Sequence, residues 1–132
     1  MRKNTHMYNV LLVDDSKTIR AIIAKTLNIA GVEVSNLFEA ADGSQALELL
    51  RNEWIDIVFA DINMPVMTGI EMVEVMEREG MLANIPVVIV STEGSIERIE
   101  KLKSIGVKAY LRKPFNPEEL KEVVDKLLSG KD

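Results

Sequence analysis

Adjacent carboxylates at Asp14 and Asp15, a third at Asp61, hydroxyls at Ser91 and Thr92 and an ammonium at Lys113 are the side chains of this 132-residue chain whose types could do chemistry together. Each stands directly after a short apolar run. Carboxylates gathered within a few ångströms repel one another, so such a group persists at neutral pH only when protons or a bound cation neutralise it; a divalent cation is the simpler answer. An oxygen-only donor set favours a hard ion, and Mg2+ suits one or two carboxylates, a carbonyl, retained waters and a substrate phosphate in octahedral array. Lys113 adds a point charge able to pair with one phosphoryl oxygen, and Ser91 a donor for another. The combination suits a phosphorylated carboxylate: Asp61 attacks phosphorus in line, with Mg2+ to offset charge on the incoming and transferring oxygens, and Lys113 and Ser91 hold the charge of the acyl phosphate formed. The donor has to come from elsewhere, because the chain has no P-loop, no Gly-rich kinase loop and no histidine besides His6.

Positioning these groups falls to elements that alternate between short β-branched apolar runs and longer segments of helical period, the pattern of βαβ units around a parallel sheet. Strands are predicted over Tyr8–Val13, Val34–Glu39, Ile55–Ala60, Val87–Ser91 and Ala109–Arg112. The first, third and fourth are nearly continuous apolar runs, as befits central strands covered on both faces. The first helix places Ile19, Ile22, Ile23, Leu27 and Ala30 on one stripe, and the last places Leu120, Val123, Val124, Leu127 and Leu128 at helical spacing. Between them, Ser44–Arg51 reads as a helix with Ala46, Leu47 and Leu50 inward, Ile70–Glu79 as one with Met72, Val73 and Met76 inward, and Ser95–Ile105 as a fourth. Gly31, Asp42-Gly43, Gly69, Gly80, Asn84 with Pro86, Gly94 and Gly106 punctuate the boundaries, and Asn116-Pro117 supplies a cap and an N1 proline for the last helix. The fold class is therefore α/β, a doubly wound (βα)5 unit with helices on both faces of a five-stranded parallel sheet. Ligands of such sheets bind beyond the carboxyl ends of the strands, where all the groups named above fall.

Composition excludes much else. Hydrophobic residues make up 47% and charged residues 28%, the balance of one ordinary globular domain, expected over residues 8–128 between short tails 1–7 and 129–132. The absence of cysteine removes thiol catalysis, Cys-ligated zinc and iron–sulfur chemistry, and a single histidine removes Ser-His-Asp triads and multi-histidine metal sites. A net charge of −5 provides no basic footprint for nucleic acid. No apolar run approaches the ~20 residues that cross a bilayer and no signal-like h-region follows the N-terminus, so the expectation is a cytoplasmic protein without membrane contact.

The motifs, in this order, resemble the receiver domain of two-component response regulators, most closely the stand-alone chemotaxis type. The resemblance covers about residues 8–128 and rests on Val10-Leu-Leu-Val-Asp-Asp15, Glu39-Ala-Ala-Asp-Gly43, Asp61-Ile-Asn-Met-Pro-Val-Met-Thr-Gly69, Ser91 at the end of the fourth strand, and Tyr110-Leu-Arg-Lys-Pro-Phe115. It implies a flavodoxin-like strand order 2-1-3-4-5. It also implies Asp61 as phosphoacceptor, a Mg2+ site made by Asp14, Asp15, Asp61 and the backbone carbonyl of Asn63, and Ser91, Thr92 and Lys113 as phosphoryl-binding groups, with Ser91 as the switch hydroxyl. Tyr110 matches the aromatic that follows the switch hydroxyl, and Asn63 and Glu93 match the positions that tune dephosphorylation. The implied donor is a phosphohistidine on a sensor histidine kinase or phosphotransfer protein, and the implied output is a downstream protein docking on the face of helix four, strand five and helix five. Such a protein is a signalling module that assists its own phosphorylation and dephosphorylation, not a metabolic enzyme. Thr92 departs from the small residue usual after the switch hydroxyl; a β-branched side chain there narrows access to Asp61 and implies slower phosphorylation than in a Thr92→Ala variant.

Taken singly, each feature has a plainer reading. Asp14-Asp15 could be acids favoured at a helix N-terminus, Ser91 a hydroxyl capping a turn, Lys113-Pro114 a turn before the last helix, and Tyr110 simple packing. Coincidence at four strand ends is what weighs against them. A haloacid-dehalogenase-like phosphohydrolase also uses an aspartate, Mg2+ and a lysine, but its Asp-x-Asp follows the first strand, where this chain has adjacent acids. A flavodoxin-like FMN site would need a Ser/Thr/Gly-rich phosphate cradle where the acids stand. A receiver-like module that binds partners independently of phosphate remains a third reading. With only Ser129 to Asp132 after the last helix, output is expected through contacts with another protein, unless the chain is a fragment cut at a linker.

Overall fold

A computed structural model describes residues 7–92 and 94–128. The expectations placed on His6, Glu93 and Ser129 to Asp132 fall outside them. The elements run β1 (Tyr8–Val13), α1 (Lys17–Ile29), β2 (Val34–Ala40), α2 (Gly43–Asn52), β3 (Ile57–Ala60), α3 (Gly69–Arg78), a 3-10 turn (Met81–Ala83), β4 (Val87–Ser91), α4 (Ile96–Ile105), β5 (Ala109–Arg112) and α5 (Pro117–Leu128). All pairings are parallel and the strand order is β2-β1-β3-β4-β5, so β1, β3 and β4 are interior, as their apolar runs require.

Period-two alternation divides the strand side chains between two cores. Val10, Leu12, Ile57, Phe59, Val88 and Val90 face α1 and α5, where they meet Ile23, Leu27, Leu120, Val124 and Leu128. Leu11, Val13, Val58, Ala60, Val87 and Ile89 face the opposite way, onto Ala46, Leu47 and Leu50 of α2, Met72, Val73 and Met76 of α3, and Leu102 of α4. Interior strands two-sided in this way have no solvated face, so every β1, β3 and β4 position from Val10 to Ser91 is closed to water apart from the first residues of β1.

Helix starts follow their side chains. Ser16, Asp42, Thr68 and Ser95 cap α1 to α4 by accepting from the backbone N–H three residues on, and Thr68 with Glu71 forms a reciprocal capping box. Asn116 and Glu119 exchange the same pair of bonds at the head of α5, at 2.8 and 2.9 Å.

Two local expectations are corrected. Ile22 is 51% exposed and lies off the buried stripe of α1, which consists of Ile23 and Leu27 at i and i+4; Ile19 and Ala30 are only partly covered. β3 begins at Ile57, two residues later than its apolar run, because the Asp56 carboxylate accepts the Asn9 N–H at 2.8 Å and turns 55–56 into an anchor at the sheet's lower edge. Beside this anchor Trp54 is 78% exposed and donates its indole N–H to Asp56.

The loop after β3 is drawn tight against the sheet by Gly69, whose N–H donates to the Ile62 carbonyl at 2.8 Å. A Cβ at position 69 would stand 2.2 Å from the Asp61 carbonyl oxygen. Gly69→Ala should therefore destabilise the fold by about 2 kcal/mol or more, since backbone has to give way. Urea unfolding measures this, and a change below experimental error would show that the loop does not approach Asp61 as described.

Candidate functional site

Strand register brings the acids together. Val13 pairs with Ala60, so the next residues, Asp14 and Asp61, leave adjacent strands side by side, and the Asp61 N–H donates to the Val13 carbonyl at 3.0 Å. Neighbouring strands lie about 4.8 Å apart, which sets the scale of the separation. One carboxylate oxygen from each of Asp14, Asp15 and Asp61 lies within 4.8 Å of the others. Asp14 is buried, Asp61 half-buried and Asp15 exposed.

The other side of the site climbs by register. Ala60 pairs with Ile89 and Ser91 with Arg112, so Ser91 and then Lys113 end their strands progressively higher along the edge. The long stem of Lys113 reaches back, placing its Nζ 3.3 Å from Asp14 Oδ2 and 3.8 Å from Asp61 Oδ2. Its side chain is 19% exposed and that of Asp14 only 5%, so this ion pair is screened less than a surface one. The remaining oxygens are held by backbone: Asp14 Oδ1 accepts from Ser16 N–H at 2.8 Å and Asp61 Oδ1 from Ile62 N–H at 2.7 Å. The Lys113-Pro114 peptide is cis.

Ser91 is buried, and its backbone carbonyl accepts from both Lys113 N–H at 3.0 Å and the Tyr110 hydroxyl at 3.3 Å. One carbonyl thus joins three residues that sequence reasoning had chosen separately. Tyr110 is half-buried on β5, while Thr92 and Asn63 are exposed at the rim. Thr92 and Lys113 border an apolar depression of about 300 Å³ with Ile19, Ile22, Pro114 and Phe115.

Sequence reasoning assigned no role to two neighbours. Arg20, on α1, donates to the Asp14 backbone carbonyl and, through Nε, to Glu39 Oε1 at 2.8 Å. Val66 sits at φ 66°, with the Met67 N–H turned back onto the Pro65 carbonyl, and is 84% exposed. A β-branched residue at positive φ is an outlier that costs of order 1–3 kcal/mol and is found where a loop is over-determined. Nothing in the spacing of the sequence announces either feature, although Arg20 stands one turn beyond the cap Ser16.

Three like charges with one lysine leave a surplus of negative charge facing solvent. Octahedral coordination at about 2.1 Å puts cis oxygens about 3 Å apart and trans oxygens about 4.2 Å apart, so oxygens within 4.8 Å need close only slightly on one divalent ion.

Comparison with known proteins decides the family. The sequence profile described as Response regulator receiver domain matches residues 10–125. The chain belongs to that family. Within it, this receiver is 38% identical over 120 residues to a protein named Chemotaxis protein CheY homolog of Campylobacter jejuni, covering 90% of this chain and 91% of that one. Among solved structures, the Vibrio cholerae chemotaxis protein CheY4 is 38% identical with a TM-score of 0.81, covering 93% of this receiver and all of that chain. The CheX-CheY-BeF3-Mg+2 complex from Borrelia burgdorferi matches at 29% identity and a TM-score of 0.79, over 92% of this chain and 89% of that one. The expected fold, its flavodoxin-like strand order and the resemblance to CheY-like receivers all hold, and two-component signalling with a chemotaxis-like role is the function the family supports. Among the described residues no helix is long and apolar enough to cross a membrane.

Asp15 has no Lys or Arg at ion-pairing distance among the described residues, unlike its two neighbours. Like charges at this separation repel by about 1 kcal/mol in water and more where solvent is partly excluded. Without divalent cations, Asp15→Asn should therefore raise stability by about 0.5–1 kcal/mol, with the gain shrinking in high salt. Chemical denaturation in EDTA tests this; a variant less stable than wild type at low salt would contradict the repulsion.

Proposed function

We propose that this receiver accepts a phosphoryl group on Asp61 from the phosphohistidine of a sensor histidine kinase or phosphotransfer protein, and so changes its affinity for a downstream protein. The observation that carries this reading is the convergence of Asp14, Asp15 and Asp61 on the Lys113 ammonium at the carboxyl edge of the sheet. In the transfer, an Asp61 carboxylate oxygen forms the new bond to phosphorus as the phosphorus–nitrogen bond of the donor breaks, and the freed imidazole takes a proton from water.

The donor set is oxygen only, which suits Mg2+, held by the carboxylates of Asp14, Asp15 and Asp61 and the carbonyl of Asn63. Bound there, the ion would supply Lewis-acid stabilisation to the phosphoryl oxygens. Mg2+ and BeF3 also stand in the name of the Borrelia burgdorferi complex, which supports the same chemistry here. Lys113, poised between Asp14 and Asp61, is the cation that meets the charge added to Asp61. Ser91 and Thr92 donate hydroxyls to the phosphoryl group, and Asn63, exposed at the rim, sets together with Glu93 how readily water removes it.

Movement of Ser91 toward the phosphoryl group would disturb its carbonyl, and with it the Tyr110 hydroxyl and the Lys113 N–H bonded there. That is a physical route from Asp61 to the face of α4, β5 and α5. A groove of about 680 Å³ runs along this face over Ile99, Tyr110, Val123 and Leu127, with Lys103, Lys108 and Lys126 outnumbering one acid, Glu122, in its lining. Its apolar floor and basic rim make it the docking surface for the downstream protein, in a cytoplasmic pathway of the chemotaxis kind.

Intact-protein mass after incubation with acetyl phosphate tests the acceptor chemistry. A phosphoryl-sized gain is expected for wild type with Mg2+, and none for Asp61→Ala or with EDTA. No gain under conditions that modify a control receiver would leave a binding module independent of phosphate.

A further inference from the structure

Arg20 was assigned nothing by the sequence, yet it makes two directed bonds at the edge of the acid cluster. We propose that Arg20, oriented by Glu39, is a positioning residue that fixes the Asp14–Asp15 peptide so that both carboxylates converge on one divalent cation. This rests on the reading of the cluster as a Mg2+ site.

The carbonyl of Asp14 lies in the peptide plane that joins Asp14 to Asp15. Pinning that oxygen constrains ψ of Asp14 and φ of Asp15 together, and so the directions in which both side chains leave the backbone. Arg20 Nη1 donates to this carbonyl while Nε donates to Glu39 Oε1 at 2.8 Å. The guanidinium is thus held by two acceptors on different elements, Glu39 on β2 and Asp14 after β1. Its side chain is 14% exposed against 45% for Glu39, so the fork lies beneath the surface and its acceptor lies at it. On the other side of the same residue, in the preceding peptide unit, Asp14 N–H is fixed to the Ala40 carbonyl at 3.0 Å, so Asp14 is restrained at both ends of its backbone.

The choice of acceptor matters. A guanidinium on the Asp14 carboxylate would compete with a metal for its oxygens, whereas one on the carbonyl leaves Oδ1 to Ser16 N–H and Oδ2 to Lys113. Pairing with Glu39 makes the device close to neutral, so it orients the ligands while adding little repulsion to an incoming cation. Arginine is required because its planar fork serves two acceptors in fixed directions, and a lysine ammonium does not.

Charge and positioning predict opposite signs. Were Arg20 only a nearby cation, its removal would tighten Mg2+ binding. As a positioning residue its removal weakens binding, by about tenfold on the scale seen when groups that orient metal ligands are lost. Calorimetric titration of the full chain with MgCl2 at fixed ionic strength should show this loss in Arg20→Ala, and a several-fold loss in Arg20→Lys although the charge is kept. Unchanged or tighter Mg2+ binding in a folded Arg20→Ala overturns the inference, and if that variant does not fold, wild-type affinity in Arg20→Lys overturns it instead. A wild-type protein that binds no Mg2+ overturns the reading of the cluster itself, which keeps the two failures apart.

Discussion

Repulsion among three carboxylates held at one sheet edge, offset by a single lysine, is the constraint around which this receiver is built. Parallel register forces the contact: once Val13 pairs with Ala60, Asp14 and Asp61 cannot be far apart. That register is itself imposed by the two cores, because slipping a strand by one residue would exchange the side chains that face α1 and α5 with those that face α2, α3 and α4. The unfavourable charge is thereby held in place by burial of more than two dozen apolar side chains, and no local rearrangement of β1 or β3 relieves it. Electrostatic strain of this kind is discharged by a cation or by chemistry at the site, which is why the edge is suited to binding a divalent ion and an anionic group together.

Around the cluster, backbone groups do most of the holding. Ser16 and Ile62 N–H groups take one oxygen each of Asp14 and Asp61, Gly69 lets the loop after β3 close onto the Asp61 carbonyl, and Arg20 holds the Asp14 carbonyl from the opposite side. A second long side chain, Lys113, joins the two halves of the edge. Its backbone N–H and the Tyr110 hydroxyl meet at the Ser91 carbonyl, so the cation that balances Asp61 and the aromatic facing α4 share one atom. In the proposed mechanism this shared acceptor is what turns a change of charge at Asp61 into a change of surface, because packed cores shift between discrete arrangements more readily than they deform.

The architecture and the acid cluster were legible because both depend on pattern. Continuous apolar runs marked the two-sided strands, helical stripes marked Leu120 to Leu128 and Met72 to Met76, and strand ends marked Asp14, Asp61, Ser91 and Lys113. What stayed hidden depends on single geometries. Ile22 fits the apolar period of α1 but stands at its margin, since the helix rests on the sheet by a narrower face than its composition suggests. The late start of β3 follows from one carboxylate taking an N–H of β1, and the 3-10 turn at Met81–Ala83 has no period to detect. Gly69 was visible only as punctuation, and its contact with Asp61 needs coordinates. Arg20 looks like an ordinary helix cation until its acceptors are known, and Val66 at positive φ runs against every local propensity.

The most direct test of the central claim is a crystal structure of the protein with Mg2+ and beryllium fluoride. The claim predicts one octahedral ion at about 2.1 Å from carboxylate oxygens of the Asp14, Asp15 and Asp61 cluster, a fluoroberyllate on Asp61, and the Lys113 ammonium turned from Asp14 toward it. An ion bound elsewhere, or an unmodified Asp61 with Lys113 still bridging Asp14 and Asp61 at saturating concentrations of both reagents, would contradict it.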